Sequence, residues 1–389
     1  SAANSSRRRH ARQRAELCAY LTRGAVGSIS LRSRRSEQRL PWQRLKKRMG
    51  KRFSMTWVGP DGATANDYPQ IEAGALLSMA SAEQLFGLSP LSFEEALEAN
   101  EKGLVASTNL GVEVTMARRS MHKSVTSPNV IGMIRGTDPA LLNEYIVYSA
   151  HLDHVGVRDD HGDHGDAAAS NKENGAGPKD SLYNGAYDNA MGVALMLETA
   201  RALAAAPPKR SVLFIALTAE EKGLLGSEYF VAYPTVPAGS MVANINLDMP
   251  LFIFPPADLI AFGSERSSLQ PVVEASAKSE GFLLSPDPMP EENLFVRSDQ
   301  ISFVRKGVPA VYLISGFQSA NEDQDGEALF RDHLKHHYHE PSDDLSRPVD
   351  WDSARRFARA NARIGFGIGQ AADRPTWNEG DFFGERFGR

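Results

Sequence analysis

The sequence predicts an α/β protein: a mixed, mostly parallel central sheet with helices on both faces, preceded by a smaller part. Three observations carry this expectation. Short apolar runs recur in the C-terminal part, at Glu144–Ala150 (EYIVYSA), Val212–Leu217 and Met241–Leu247. Near-continuous apolar strands belong to parallel sheets covered on both faces. Segments of helical periodicity separate them, at Ala190–Ala206, Ser267–Gly281 and Trp351–Ala371, and strands alternating with helices build layered α/β folds. Finally, 389 residues exceed one ordinary core, so a main domain with a smaller companion is expected.

Taken in order, Ala11–Tyr20 is a possible helix. The stretch from Gly24 to Leu31 resembles a helix ending in glycine, then a short strand. Arg32–Lys51 reads as a polar, basic connection. Ile71–Met79 is a candidate strand and Ser81–Phe86 a short helix. Ser92-Phe93-Glu94-Glu95 has the form of a capping box opening a helix to about Asn100. Leu110–Ala117 alternates as a strand does. A second régime begins near Ser127, with a short strand at Asn129–Arg135 before EYIVYSA. An Asp/Gly/His-rich loop, Arg158–Tyr183, leads through Asn184–Asn189 into the helix of Ala190–Ala206. Leu259–Gly263 and Val308–Ile314 are further strands, and Ser298-Asp299 is expected to precede a strand. His333–Asp344 reads as a polar, His-dense loop. The domain expectation is 1–122 for the front part, 123–375 for the main domain and 376–389 as a tail.

Charge is unevenly spread. Residues 1–52 carry a balance of +14 in a chain of net −5, leaving −19 on the rest. An acidic body argues against nucleic acid as a partner. No apolar run approaches the roughly 18 residues of a membrane span. The single cysteine, Cys18, excludes an intrachain disulfide framework and a cysteine-based zinc site. The basic leader has three readings: a truncated domain, an Arg/Ser-rich transit segment, or a basic arm. Oligomeric state is left open.

The chemistry centres on Ser211–Ser227, SVLFIALTAEEKGLLGS. A buried strand gives out in two adjacent acids, Glu220 and Glu221. In extended geometry they would point to opposite faces; at the turn leaving the strand both can approach one centre. Other strands end in candidate ligands too: His151 follows EYIVYSA and Asp248 follows VANINL. Sites in open α/β sheets form outside the carboxyl ends of strands. Asp188 stands at a helix start, where a carboxylate is favoured and where a plain cap is the alternative role. His339 lies in the Pro341-stiffened loop His-Glu-Pro-Ser-Asp. Zinc takes imidazole and carboxylate ligands, about four in all, with a catalytic site keeping one position for water. If Asp188 bridges, each of two metals gains three protein groups, and one glutamate remains as general base.

SAHLDHVG, NGAYDNAMGVA, TAEEKGLLGS, NINLDM and YHEPSDD, in that order, resemble the di-zinc aminopeptidase family that includes the bacterial leucyl aminopeptidases. The resemblance covers about residues 125–372. It implies two Zn2+ per chain: His151, Asp188 and Asp248 on one, and Asp188, Glu221 and His339 on the other. It implies Glu220 as base and proton shuttle, with Asp153 behind His151 fixing its ring. The expected reaction is removal of N-terminal residues from a peptide or small protein. Residues 11–110, with RGAVGSISL and LPWQRL, are similar to the later part of a protease-associated domain, which implies an incomplete, smaller β-rich domain in front of the main one. Its beginning and the usual export signal are expected to be missing here. Location outside the cytoplasm, periplasmic or extracellular, is expected by analogy.

His154, His161 and His164 are set aside as solvated loop histidines, and His333, His336 and His337 yield to His339, which alone precedes Pro-x-Asp. Ser298-Asp299 resemble a substrate-side motif whose next residue is often His; here it is Gln300. Phe303 and Tyr312 are expected in the core, and Lys222 in solvent. Asp343 either orients His339 or caps the loop. Rival functions are a glutaminyl-cyclase-like acyltransferase using one zinc, a carboxypeptidase on the same scaffold, and a metal-free receptor-like relative.

Overall fold

The computed structural model describes residues 24–49, 54–65, 70–104, 108–157 and 180–388. Two compact units emerge, Ser1–Val125 and Thr126–Arg389. The helix expected at Ala11–Tyr20 lies outside the described residues, as do His161 and His164.

In the front unit, strands β1 (Gly27–Leu31) and β2 (Ala73–Leu77) pair in parallel, with Gly27 opposite Ala73. Helices outnumber strands among the described residues, against the β-rich expectation. Arg32–Lys51 is not a plain connection, because it holds helices α1 (Arg34–Arg39) and α2 (Trp42–Met49). Ser33 caps the first of them, accepting from the Ser36 N–H, and the buried guanidinium of Arg32 donates to the Ser36 and Leu40 carbonyls near its end. Helices α3 (Met79–Phe86) and α4 (Phe93–Glu101) follow. The capping box at Ser92 and Glu95 is complete. Ala82, Phe86, Phe93 and Leu97 form a small core there. Leu110–Ala117 joins no ladder among the described residues; its alternation has no neighbouring strand to pair with.

The second unit is built on one seven-stranded sheet. Its strands are β3 (Val130–Ile134), β4 (Tyr145–His151), β7 (Ser211–Leu217), β8 (Met241–Asn246), β9 (Asp258–Phe262), β10 (Leu283–Ser285) and β11 (Ala310–Ser315), in the order β10-β9-β11-β8-β4-β7-β3. The pairs β4–β7, β4–β8, β8–β11 and β9–β10 are parallel; β3–β7 and β9–β11 are antiparallel. The two-residue strands β5 (Gly156–Val157) and β6 (Leu182–Tyr183) form a separate antiparallel pair.

Alternation of side chains splits the central strands between two cores. Ile146, Tyr148 and Ala150 of β4, with Val212 and Phe214 of β7, face helices α5 (Met191–Ala205), α7 (Gln270–Ser279) and α10 (Trp351–Gln370) in the larger cluster. Val147, Leu213, Ile215 and Leu217 face the smaller cluster with α6 (Leu225–Ala232) and α8 (Gln300–Val304). Helices therefore cover both faces, as the apolar runs require. Truncating a leucine such as Leu213 to alanine in such a core costs about 2–5 kcal/mol.

Two local readings differ. Ser298-Asp299 lead into α8 before the strand arrives, since the polar turn buries Gln300 at its start. The first part of His333–Asp344 closes helix α9 (Gly326–His336), which Asp325 caps. Residues expected as a tail fold onto the body. Helix α11 (Phe382–Phe387) brings Phe383 and Phe387 against the larger core beside Trp377, and Asp381 pairs with Arg266 at 3.0 Å. No helix among the described residues is long and apolar enough to cross a membrane.

Candidate metal centre

Strand register brings the first donors together. His151 ends β4 directly opposite Leu217 of β7, so the chain leaves β7 beside His151. On the other side Ser149 stands opposite Asn246 of β8. Two residues further on, Asp248 meets His151, with Oδ1 3.2 Å from Nε2. The opposite ring nitrogen, Nδ1, donates to the main-chain carbonyl of Asp153 at 2.9 Å. That bond fixes the ring and turns Nε2 toward the carboxylates.

Asp153 acts differently from the expectation. Its main-chain oxygen, rather than its carboxylate, holds the His151 ring; the carboxylate is 3.9 Å away. The carboxylate instead accepts from the N–H groups of Glu220 and Glu221, at 2.9 and 3.2 Å. Asp153 thus ties the end of β4 to the two-glutamate turn. That turn passes through Ala219 at φ 55, a conformation L residues avoid. A second clamp is Asn129, which accepts from the Thr218 N–H and donates to the Gly226 carbonyl. Gly226 is required, because a Cβ there would lie 2.2 Å from the Thr218 oxygen.

Asp188 sits on an irregular turn between Gly185 and α5, with φ −114 and ψ 83. Two side chains, Asp343 and Asn189, shape the turn. The Asp343 carboxylate accepts from the N–H groups of Tyr187 and Asp188, each at 3.0 Å. The Asn189 amide donates to the Leu247 carbonyl at 2.9 Å. Its oxygen accepts from the Gly192 and Met249 N–H groups. Asp343 therefore does more than cap its loop; it holds the backbone that presents Asp188. The two oxygens of Asp188 then divide: Oδ1 lies 3.2 Å from His151 Nε2, and Oδ2 lies 3.0 Å from His339 Nε2. His339 Nε2 is also 2.9 Å from Glu221 Oε1.

The result is two donor groups sharing Asp188: His151, Asp188 and Asp248 in one, and His154, Asp188, Glu221 and His339 in the other. All of the expected metal ligands, His151, Asp188, Glu221, Asp248 and His339, are present. Glu220 is buried beside them (4% exposed), and its charge acts on His151. His154 had been set aside as a solvated loop residue; instead its side chain is 8% exposed and 3.4 Å from Glu221. The spacing of His151 and His154 in HLDH was the signal available for it. His333 is buried edge-on against Tyr187, while His336 and His337 face Asp332. Phe303 and Tyr312 pack in the core and Lys222 is exposed.

Beneath Asp248 runs a buried polar chain. The Ser298 hydroxyl donates to Asp248 Oδ2 at 2.5 Å, and the Asn246 amide donates to Ser298 and to Gln300. Gln300 in turn donates to the Phe295 carbonyl. Asp299, fully buried, is pushed up to about 6 by burial. Ser298, Asn246 and Gln300 support Asp248 from below the site.

Electrostatics follow from burial and charge. Burial alone would lower His151, but Asp248 and Asp188 override it and raise it well above its ordinary value. His339 is likewise opposed by burial and raised to about 10 by Glu221 and Asp188. Burial opposes ionisation of Asp188, yet the adjacent His151 and His339 rings hold it well below the usual range. Glu221 falls to about 2: His339 and His154 outweigh burial and the Asp188 charge.

Does the cage fit metal ions? A tetrahedral zinc with bonds of about 2.0–2.1 Å separates its donor atoms by about 3.3 Å. The closest cross-pairs of each group lie at 2.9–3.8 Å. His339 Nε2 and Glu221 Oε1 approach each other without hydrogen-bond geometry, as donors aimed at a common point do. Imidazole and carboxylate are also the ligand types zinc takes.

The sequence profile of peptidase family M28 matches residues 129–364, well over half of the chain. The chain belongs to peptidase family M28. Among similar proteins, an aminopeptidase of Bacillus subtilis (YwaD) is 44% identical over 66 residues, 17% of this chain and 14% of that protein. A protein of Pyrenophora tritici-repentis named "Probable zinc metalloprotease" is 43% identical over 65 residues, 17% of this chain and 15% of its own length. The matched stretch thus spans only about a seventh of these relatives. Among solved structures, a zinc aminopeptidase from Bacillus subtilis (BSAP) aligns with a TM-score of 0.44 and 21% identity, covering 62% of this chain and 50% of that one. The donors of both groups fall within the span that matches the M28 profile.

Proposed function

We propose that this M28 chain is a zinc-dependent aminopeptidase that removes residues from the free N-terminus of peptides. The observation that carries this reading is the division of Asp188, one oxygen toward His151 and the other toward His339. A carboxylate shared in this way belongs to a site for two cations. The relatives named aminopeptidase and zinc metalloprotease support the same class.

His151, Asp188 and Asp248 would hold one zinc, and Asp188, Glu221 and His339 the other. When bound, such ions polarise a scissile carbonyl and lower the pKa of a nearby water. Glu220 takes the proton of the attacking water and returns it to the leaving amine. The Asp153 carboxylate positions Glu220 through its main-chain N–H. The surrounding carboxylates also offer a seat for the positively charged substrate amine.

The test combines metal analysis with hydrolysis of a leucyl peptide, free or N-acetylated. The expected result is about two zinc per chain, release of leucine from the free peptide only, and no cyclisation of an N-terminal glutamine. Glu220→Gln should keep its metal and lose about 10²–10⁴-fold in kcat. Fewer than one zinc per chain, full activity in Glu220→Gln, or equal cleavage of the blocked peptide would refute the reading.

A further inference from the structure

We propose that His154 is a fourth protein ligand at the second metal position, beside Asp188, Glu221 and His339. One metal would then be enclosed by four protein donors. The other, held by His151, Asp188 and Asp248, would carry the open positions that water and substrate need. This inference rests on the two-metal reading above and deepens it.

Geometry is the first support. The His154 Nδ1 atom lies 3.4 Å from Glu221 Oε1 and 3.8 Å from Asp188 Oδ2. Both values sit near the edge of about 3.3 Å that a tetrahedral zinc imposes on its ligands. The ligand atoms of His154, Asp188, Glu221 and His339 all lie within 4.8 Å of one another. The rings of His154 and His339 stand 5.5 Å apart at 76°, so the two imidazoles approach from different directions.

Unmet bonding capacity is the second. Both ring nitrogens of His154 are buried and neither makes a hydrogen bond. A buried imidazole whose nitrogens lack hydrogen bonds is costly. Coordination through Nδ1 would satisfy one of them.

The backbone supplies the third. His154 follows β4 just before β5, whose partner β6 leads to Gly185. Gly185, at φ 67, closes against the ring: a Cβ there would lie 2.6 Å from His154 Cγ and 2.9 Å from Cδ2. Glycine allows the segment carrying Asp188 to press onto the imidazole and fix its direction.

Four donors on one ion and three on the other make the two positions unequal. A zinc with four protein ligands has the closed geometry of a structural site, while three ligands leave the open geometry of a catalytic one. The enclosed ion would therefore be retained longest during chelation, and exchange of bound water would concentrate at the other.

The experiment uses the full chain stripped with a chelator and reloaded with Co2+, read by competitive chelator titration and visible absorption. Wild type should take two equivalents of unequal affinity. In both His154→Ala and His154→Gln, one site should weaken by about 100-fold or more, beyond the range typical of an outer-sphere change. Its absorption should shift, with the other site within about threefold. X-ray absorption of the wild-type zinc form should require three imidazoles shared by two ions rather than two, a readout independent of how the variants fold. Two equivalents with unchanged affinity and spectrum in both variants, or only two imidazoles in the wild type, overturns the proposal and leaves the two-metal reading intact. Fewer than two equivalents in the wild type overturns that reading, and this one with it.

Discussion

Removing the Asp343 side chain should both destabilise the fold and weaken the metal site. Asp343 is fully buried. Its carboxylate takes the Tyr187 and Asp188 N–H groups at 3.0 Å each, and its main-chain oxygen takes that of Ala186. Asp343→Ala leaves the Tyr187 and Asp188 donors buried and unmet. Each such group costs about 1–3 kcal/mol, so the expected loss is about 2–6 kcal/mol. For a unit of this size that corresponds to a fall in Tm on the order of 4–24 °C. Asp343→Asn keeps one acceptor oxygen and should lose roughly half as much. Because the same N–H groups aim Asp188, zinc affinity should drop about 10–100-fold, as when other outer-sphere partners are removed. Thermal melts in chelator isolate the first effect, and competitive zinc titration the second. An alanine variant that melts within about 1 °C of wild type and binds zinc equally well would show that Asp343 does not hold the turn.

Two further outcomes follow from the same geometry. In the metal-free chain His339 is raised to about 10, so its protonated contribution to stability is fully present below about 6.5 and is lost as pH rises through 10. Metal binding requires the neutral ring; the gain in Tm on adding zinc should therefore grow between pH 6 and pH 9, and a constant or shrinking gain refutes this. Gly226→Ala forces a Cβ toward the Thr218 oxygen at 2.2 Å. It should cost about 1–3 kcal/mol by overpacking and shift the glutamate turn; urea unfolding at unchanged midpoint would count against the close approach.

The sheet and its cage were legible because their determinants are local in type and regular in placement. EYIVYSA, SVLFIAL and VANINL are apolar enough to demand burial on both faces, and each ends in a polar donor. A parallel sheet must then bring those ends to one rim. His154 was harder to see. It sits at the head of an Asp/Gly-rich loop, where histidine is normally solvated; in the structure Gly185 presses on the ring beside the β5–β6 pair. Asp153 shows another limit. Sequence gives a residue, whereas here its carbonyl and carboxylate serve separate neighbours. The helices within Arg32–Lys51 depend on the Ser33 cap and on Arg32 binding nearby carbonyls, contacts that a polar, charge-rich run does not advertise.

The cage is shaped by one set of contacts and charged by another. Asp188, Glu220 and Asp248 are nearly buried, and carboxylates gathered so closely cannot all stay ionised without compensating cations. In the metal-free chain the compensation comes from protons, which is why His151 and His339 are both raised against the effect of burial. Metal ions would replace those protons without asking the cage to change shape. Its shape comes from elsewhere: the β4–β7 and β4–β8 registers, the Asp153 bonds to the glutamate turn, and the Asp343 bonds to the Asp188 turn. The register bonds join main-chain groups, which do not titrate, whereas the Asp153 and Asp343 bonds end on carboxylates that burial raises above their ordinary range. A site built this way exchanges one kind of cation for another on a fixed frame. Affinity for zinc is then governed by pH and by ligand number, with little ordering of the chain to oppose it.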